Sequence, residues 1–365
     1  MKDKYNHYFM GATTSRIQTH IIFFSGGLSS FAVADYVKTN YPDDNILLYF
    51  TDTLWEHPDL YRFIQEASDK LKLPLLIHSS GLNPIQLMFE KKLVFNNMIG
   101  ECSKILKMRV AADFLKRKVH PKIEKWINDQ YLVSRDFPPT SILYFGIGWD
   151  EIHRQDSIIK NWRPFKVEMP LINNIIRTDE VLKKYDINKP ELYNLGFTHN
   201  NCHGRCIKAG QGHNRLLKHS FPEIFNKHME EEYHISMYTS SYRYISSLES
   251  DGRDGLTDEV KEKWLIQLDD AYRDYFYGAA EKPKLFIHPA AGAVDIKIKQ
   301  YSYMKRQSKE FVTIEKEDED GNKYSVVKNS SEPYPLRFFN ADEQKRPEQI
   351  DLFDIGGCGC FVQFD

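Results

Sequence analysis

The strand–turn–helix pattern at residues 21–37, IIFFSGGLSSFAVADYV, constrains the fold of this chain more than any other feature. Four apolar residues with high β propensity stop at a Ser-Gly-Gly turn, and a helix-compatible apolar pattern begins directly afterwards. The glycines let successive backbone N–H groups point inward, and the helix dipole favours negative charge at the same place. The pattern predicts a phosphate or sulfate site formed by Ser25, Gly26, Gly27, Ser29 and Ser30.

A second buried-strand pattern, at residues 46–50, ends at Thr51-Asp52-Thr53 and is followed by a helical pattern from His57 to Leu71. The interval between the two strand ends suits one βαβ crossover. Because ligands of open parallel sheets bind beyond the carboxyl ends of the strands, we expect Asp52 to face the same crevice as Ser25. There it would accept a hydrogen bond from a ribose hydroxyl or hold Mg²⁺. The glycine spacing matches neither the dinucleotide-binding nor the Walker motif, and a turn without a ligand remains the alternative.

Five segments in a fixed order carry a family resemblance. SGGLSS resembles the SGGxDS loop of the PP-loop ATP pyrophosphatases, in their phosphoadenosine-phosphosulfate-reductase-like branch, and TDTLWEHPDLYRFI, ECSKILKMRVAADFL, ILYFGIGWDEIHRQ and EMPLINN resemble that branch's later segments. The similarity runs from about Thr19 to about Gly212. It implies an α/β fold with a parallel-sheet PP-loop (adenine nucleotide alpha hydrolase-like) domain at residues 1–215. A mixed α+β extension is expected at residues 216–365.

The resemblance also implies a function, an ATP-dependent adenylating enzyme that uses Mg²⁺ and prepares an acceptor for sulfur transfer. Lys107 and Arg154 are expected to supply catalytic positive charge. Ser29 stands where the family usually has Asp, and Trp149 where it often has Arg. Two alternatives stay open: a sulfonucleotide reductase, and a nucleotide-binding regulatory protein without turnover. Cys102 precedes a lysine-rich helix, so we expect a lowered pKa and a nucleophilic or sulfur-carrying role, with a small buried helix-start residue as the alternative.

Four of the five cysteines form two close pairs, Cys202 with Cys206 and Cys358 with Cys360. In a reducing compartment such pairs indicate metal ligands before disulfides. The sequence therefore predicts that the C-terminal tail folds back and that the four thiolates hold Zn²⁺ or an iron–sulfur cluster, between which the spacing does not decide. His203 and His213 are alternative ligands, and ordinary unpaired thiols are the alternative to any metal site.

Composition and the C-terminal half complete the expectations. A formal net charge of −2 gives no global attraction to nucleic acid. The chain shows no apolar run of the roughly 20 residues that span a membrane and no signal-peptide pattern, so we expect a cytoplasmic protein without a membrane partner. Its expected partners are a nucleotide, a sulfur-donor protein and, as one acceptor among several, a nucleic acid. In the extension, the sequence predicts helices over residues 221–233 and 257–277 and a β-hairpin over residues 310–328.

Overall fold

The computed structural model describes residues 17–96, 99–250, 256–291, 299–317 and 323–342; Cys358 and Cys360 lie outside the described residues. The strands are β1 (Thr19–Phe23), β2 (Asn45–Thr51), β3 (Leu75–Ser79), β4 (Ile123–Ile127), β5 (Ile142–Tyr144), β6 (Lys166–Glu168), β7 (Met304–Glu317) and β8 (Lys323–Tyr334). The helices are α1 (Leu28–Asn40), α2 (Pro58–Leu71), α3 (Pro84–Lys91), α4 (Val110–Arg117), α5 (Gln155–Asn161), α6 (Pro170–Asn173), α7 (Thr178–Tyr185), α8 (Glu191–Asn194), α9 (Gln211–Ser220), α10 (Pro222–Ser247) and α11 (Asp258–Phe276).

The first six strands form one sheet in the order β4-β3-β2-β1-β5-β6. All neighbouring strands in it pair in parallel except β4, which runs antiparallel to β3. Every residue of β1, β2 and β3 is buried, as is typical of parallel strands that helices cover on both faces. The predicted α/β class is therefore confirmed, with a small antiparallel β7–β8 sheet in the C-terminal part.

The direction of sheet growth changes at β1. Strands β1, β2 and β3 lie side by side in chain order, whereas β5 returns to pair with the opposite edge of β1. In open α/β sheets this switch point leaves a crevice outside the carboxyl ends of the two strands that flank it. The topology thus places a crevice between the loops that follow β1 and β5, and not between those that follow β1 and β2.

The C-terminal helices pack on the N-terminal half of the chain through aromatic side chains. The ring of Phe89 in α3 lies 4.7 Å from that of Tyr238 in α10 and 5.2 Å from that of Phe276 in α11, measured between centroids. Thr257, the first residue of the second predicted helix, caps α11 by accepting from the N–H of Val260. Helix α10 and the β7–β8 hairpin are both longer than predicted, and the expected boundary after residue 215 falls inside α9. Within the described ranges no helix combines the length and apolarity needed to cross a bilayer.

Candidate functional site

A cleft of about 370 Å³ lies at the carboxyl ends of β1 and β5. Its volume falls within the roughly 300–1,000 Å³ that is usual for small-molecule sites. One wall is the turn after β1, and the facing wall is the segment from Phe145 to Gly148 after β5. Six of the predicted site residues line this cleft: Ser25, Gly27, Ser29, Ser30, Lys107 and Arg154.

The turn after β1 is held in shape by its own residues and by a distant asparagine. Gly26 has φ +76°, and a Cβ there would lie 2.9 Å from Cγ of Leu60, so both conformation and space require glycine. The Ser30 hydroxyl donates to the carbonyl of Gly27 at 2.9 Å. The buried amide of Asn200 donates to the carbonyl of Gly26 at 2.8 Å. Helix α1 follows with no side-chain cap at Gly27, and the hydroxyl of Tyr193, which also lines the cleft, accepts from the backbone N–H of Leu28.

The opposite wall approaches this turn very closely. A Cβ on Gly146 would lie 2.8 Å from the backbone N of Ser30 and 3.0 Å from the carbonyl carbon of Ser29. Both neighbours are backbone atoms that cannot rotate away. The absence of a side chain at Gly146 therefore lets the β5 loop and the first turn of α1 lie against each other.

Two cations reach the cleft from different elements. Lys107 belongs to the π-helical segment Ser103–Arg109 that precedes α4, and π-helical turns are frequent at functional sites. Its Nζ lies 3.5 Å from Oε1 of Glu56. Burial lowers the pKa of Lys107, but Glu56 and the neighbouring cysteines Cys202, Cys102 and Cys206 together outweigh it, so the pKa is raised and the ammonium stays charged. Arg154, on the turn before α5, donates from Nη1 to Oε1 of Glu151 at 2.6 Å.

Glu56 connects the two halves of the site. Its side chain is inaccessible to solvent, and its carboxylate accepts from the hydroxyl of Thr53 at 2.9 Å and from the backbone N–H of Cys202. Together with the contact to Lys107, these bonds satisfy a carboxylate that burial alone would destabilise. The loop after β2 thereby fixes both the buried lysine and the cysteine loop.

Asp52 is not among the residues that line the cleft, although it interacts electrostatically with Lys107, which does line it. Its Oδ1 accepts from the N–H of Leu54 at 2.7 Å and from the hydroxyl of Tyr61 at 2.9 Å. Burial raises the pKa of Asp52, and these two hydrogen bonds partly offset the effect. The reason is the sheet order, because the neighbour that completes the crevice with β1 is β5 and not β2. A nucleotide or Mg²⁺ role for Asp52 stays a prediction.

Cys102 does not have the lowered pKa that its lysine neighbours suggested. Burial raises the pKa of this thiol to about 11, the nearby Cys206 adds to the rise, and Lys107 offsets it only in part. The expectation of a lowered pKa is wrong, because the partial burial of this residue and the neighbouring Cys206 disfavour the thiolate more than Lys107 favours it. Whether Cys102 takes part in chemistry stays a prediction.

The structure brings Cys102, Cys202 and Cys206 to one region beside Lys107. The thiol of Cys202 donates a hydrogen bond to Cys206, which raises the pKa of Cys202 and lowers that of Cys206. Cys202 is buried, whereas Cys206 is half-buried. Neither is in a disulfide.

The predicted metal centre is not assembled by the residues that the structure describes. Among them, no group of three or more His, Cys, Asp or Glu side chains is arranged to hold a metal ion. The alternative ligand His213 bonds through Nε2 to the carbonyl of Gly204 at 2.6 Å. The ring of His203 lies edge-on to His57, with centroids 4.5 Å apart, and burial lowers its pKa to about 4. Ligation by Cys202 and Cys206 with Cys358 and Cys360 stays a prediction.

Several residues that line or support the cleft were not predicted from the sequence. The segment from Thr198 to Asn201 lines the cleft beside Tyr193, and burial lowers the pKa of His199, with Arg154 adding to the effect. Asn200 had no recognisable signal because its partner, Gly26, is distant along the chain. Gly146 did have one, since it directly follows the apolar run Ile142–Phe145, and a glycine at the end of such a run often marks a close backbone approach.

The comparison with known families agrees with this geometry. Residues 19–124 match the family model of the phosphoadenosine phosphosulfate reductase domain. The match supports a PAPS reductase-like domain of the PP-loop superfamily over these residues. The family resemblance is thereby confirmed for these residues, which include the glycine turn, Cys102 and Lys107. Arg154 and the Cys202–Cys206 pair lie beyond the match. No curated protein matches the chain.

The PAPS reductase-like domain identifies a nucleotide-utilising, PP-loop type of protein, from a family that generally comprises enzymes of sulfur metabolism. The cleft agrees with that coarse assignment, because backbone donors, a helix N-terminus and two cations meet there. The matched domain does not distinguish adenylation from reduction.

Proposed function

We propose that the PAPS reductase-like domain binds ATP in the cleft and cleaves it between the α- and β-phosphates. The products would be an adenylated acceptor and pyrophosphate, and the adenylate would then be displaced by sulfur or another nucleophile. The observation that carries this proposal is the meeting of the glycine turn, the start of α1, Lys107 and Arg154 around one cleft. Such a set suits a polyphosphate, because each oxygen needs a donor or a cation.

In the proposed step, an acceptor oxygen attacks the α-phosphorus while the bond to the pyrophosphate oxygen breaks. Negative charge moves onto the leaving pyrophosphate. The N–H groups at the start of α1 and the guanidinium of Arg154 would stabilise that charge, so catalysis would rest on positioning and electrostatics. Phosphate would compete with Glu151 for Arg154, which supports a shift of that side chain on binding.

Lys107 would act as a fixed positive charge at the inner side of the cleft. The carboxylate of Glu56 limits its movement, and both side chains are almost fully shielded from solvent. A cation in a low-dielectric site stabilises nearby charge more strongly than one in water. We therefore assign Lys107 a role in transition-state stabilisation and not in proton transfer.

Magnesium fits this cleft in part. Mg²⁺ is usually held by one or two carboxylates together with substrate phosphates. The carboxylates that line the cleft are those of Asp150 and Glu151, so these side chains are the candidates to hold the ion. When bound, Mg²⁺ neutralises phosphate charge. For Zn²⁺ or an iron–sulfur cluster the described donors form no matching set, and no step is assigned to either.

One observation favours a second candidate, the sulfonucleotide reductase. Cys206 lines a side cavity that shares Thr198, His199 and Asn201 with the cleft. A thiol so placed is suited to react with a group that a bound nucleotide presents. The sulfur-donor protein and the nucleic-acid acceptor stay predictions for either function.

Product analysis separates the candidates. With ATP, Mg²⁺ and a panel of acceptors, adenylation should release pyrophosphate, and displacement of the adenylate by an added nucleophile should release AMP. Reduction of a phosphosulfate nucleotide by added thiol should instead release sulfite. Arg154→Ala should lower either activity at least tenfold, while Arg117→Ala is the matched control because that side chain is 73% exposed on α4. Nucleotide binding without either product would favour the regulatory alternative.

A further inference from the structure

A cavity of about 220 Å³ lies in the C-terminal half of the chain, where α10 meets the segments at residues 299–301 and 335–337. The described residues that line it are different from those that line the nucleotide cleft. Its volume is below the roughly 300–1,000 Å³ that is usual for drug-sized ligands, so it suits a single planar ring system. Thioether, aromatic and cationic side chains line it together: Met229, Met237, Tyr233, Tyr301, Lys299 and Arg337.

The guanidinium of Arg337 lies on two exposed aromatic rings at this cavity. Its Cζ is 5.0 Å from the ring centroid of Tyr233 and 4.8 Å from that of Phe338. Tyr233 is 41% exposed and Phe338 is 61% exposed. Exposed aromatic rings and guanidinium planes are the groups on which unpaired nucleobases stack. The protein therefore presents a stacking surface beside the opening of the cavity.

Another ring in the cavity wall, that of Tyr301, also lies between cations. Nζ of Lys299 is 5.6 Å from its centroid, and Cζ of Arg243 is 5.1 Å from it. The backbone N–H of Tyr301 donates to the hydroxyl of Ser236 at 3.0 Å, which anchors this segment to α10. Rings and cations are thus interleaved around one small cavity, an arrangement typical of proteins that bind single-stranded nucleic acid.

Among the described residues, the carboxylate that lines this cavity is that of Glu232, which is 2% exposed. Its two oxygens accept hydrogen bonds from the backbone N–H groups of Tyr303 and Leu336. Burial raises the pKa of Glu232 to about 7, although these bonds offset part of the effect, so the carboxylate is only partly ionised at neutral pH. Glu232 therefore opposes an anion less than an exposed carboxylate does, and Lys299 and Arg337 give the cavity its positive charge.

We infer that this cavity and the rings around it bind single-stranded nucleic acid. One unpaired base enters the cavity beside Tyr233, Phe338 provides a stacking surface for a neighbouring base, and Lys299 and Arg337 bind phosphates. A formal net charge of −2 gives no general attraction for a polyanion, so binding depends on these local cations. A duplex is disfavoured because its bases are already stacked on each other. This inference does not depend on the reaction in the nucleotide cleft.

The test titrates full-length protein into a short fluorescein-labelled single-stranded DNA of mixed sequence, without ATP, and follows fluorescence anisotropy. Between about 50 and 200 mM salt, the logarithm of the association constant should fall against the logarithm of the salt concentration with a slope of about −1.4, because two phosphates are bound at about −0.7 each. Arg337→Ala should weaken binding about fivefold or more and bring the slope to about −0.7. Tyr233→Ala should weaken binding about fivefold or more, because a stacking ring is lost.

Matched substitutions separate this site from a general loss of charge or aromatic surface. Tyr277 is 42% exposed, close to the value for Tyr233, and Cζ of Arg135 lies 4.6 Å from the ring centroid of Trp126. Neither Tyr277 nor Arg135 lines this cavity. Tyr277→Ala and Arg135→Ala should bind the strand as the unaltered protein does, and thermal melting confirms that each variant is folded.

The outcomes that overturn the inference are distinct. An absence of binding at the lowest salt concentration would do so, as would equal losses of affinity within each matched pair of variants. Equal affinity for the corresponding duplex would show that unpaired bases are not recognised. Displacement of the strand by an equal concentration of a nucleoside monophosphate would show that the cavity takes a free nucleotide instead.

Discussion

Replacing Gly146 with alanine should weaken nucleotide binding through steric contact alone. The new Cβ would be 2.8 Å from the backbone N of Ser30, whereas unstrained heavy-atom contacts lie at about 3.5 Å or more. The β5 loop and the start of α1 must therefore separate by roughly 0.7 Å. Overpacking of this kind costs about 1–3 kcal/mol in stability.

The same displacement should also weaken ATP binding. A displacement of that size breaks at least one hydrogen bond between a loop N–H and phosphate, and a bond to a charged group contributes about 1.5–3 kcal/mol. The affinity for ATP should fall roughly tenfold to a hundredfold. Isothermal titration calorimetry with ATP and Mg²⁺ measures the affinity, and thermal melting measures the stability in parallel.

Gly212→Ala is the matched control. No heavy atom lies within 4 Å of a Cβ at that position, which is in α9. Alanine there should leave affinity unchanged and stability equal or higher, since glycine inside a helix is destabilising by roughly 0.5–1 kcal/mol. Wild-type ATP affinity in folded Gly146→Ala protein would refute the assignment of the phosphate site to this turn.

Three further predictions concern buried polar side chains. Asn200→Ala removes the hydrogen bond to the carbonyl of Gly26, which is worth about 1 kcal/mol, and should lower ATP affinity about fivefold to tenfold. An unchanged ATP affinity in calorimetry would show that the turn holds its shape without Asn200. Arg205→Ala leaves Glu231 buried without its cation and should lower the free energy of unfolding in urea by about 3–5 kcal/mol. The double variant Arg205→Met with Glu231→Leu should recover most of that stability, and equal losses in the two variants would contradict the ion-pair argument. Burial lowers the pKa of His78 to about 4, below its unfolded value of about 6.5, so the stability that neutral His78 contributes is complete above pH 6.5 and is lost as pH falls towards 4. Between pH 6.5 and pH 4 the free energy of unfolding should therefore fall by about 3 kcal/mol more than in His78→Phe, and parallel pH–stability curves for the two proteins would contradict this.

The sequence by itself determined the local elements on which the site is built. The apolar run, the glycine turn and the helical pattern after it are contiguous, so their strand–turn–helix geometry follows from short-range sterics and hydrogen bonding. Local sequence likewise determines the cap at Thr257 and which C-terminal segments are helices or strands. The predicted length of α10 was too short, because tertiary packing extends a helix beyond the residues with the clearest helical pattern. The order of the family segments predicted one site for Ser25, Lys107 and Arg154, and all three line the cleft, while their roles stay predictions.

Only the tertiary structure decided which strand completes the cleft. Pairing of β5 with β1 joins residues more than a hundred positions apart, and no local signal encodes that choice. It placed the loop after β5 in the wall of the cleft and brought Gly146 against the start of α1. Burial, which depends on the whole fold, likewise reversed the expected pKa shift of Cys102, because removing a thiol from water outweighs the charge of a nearby lysine.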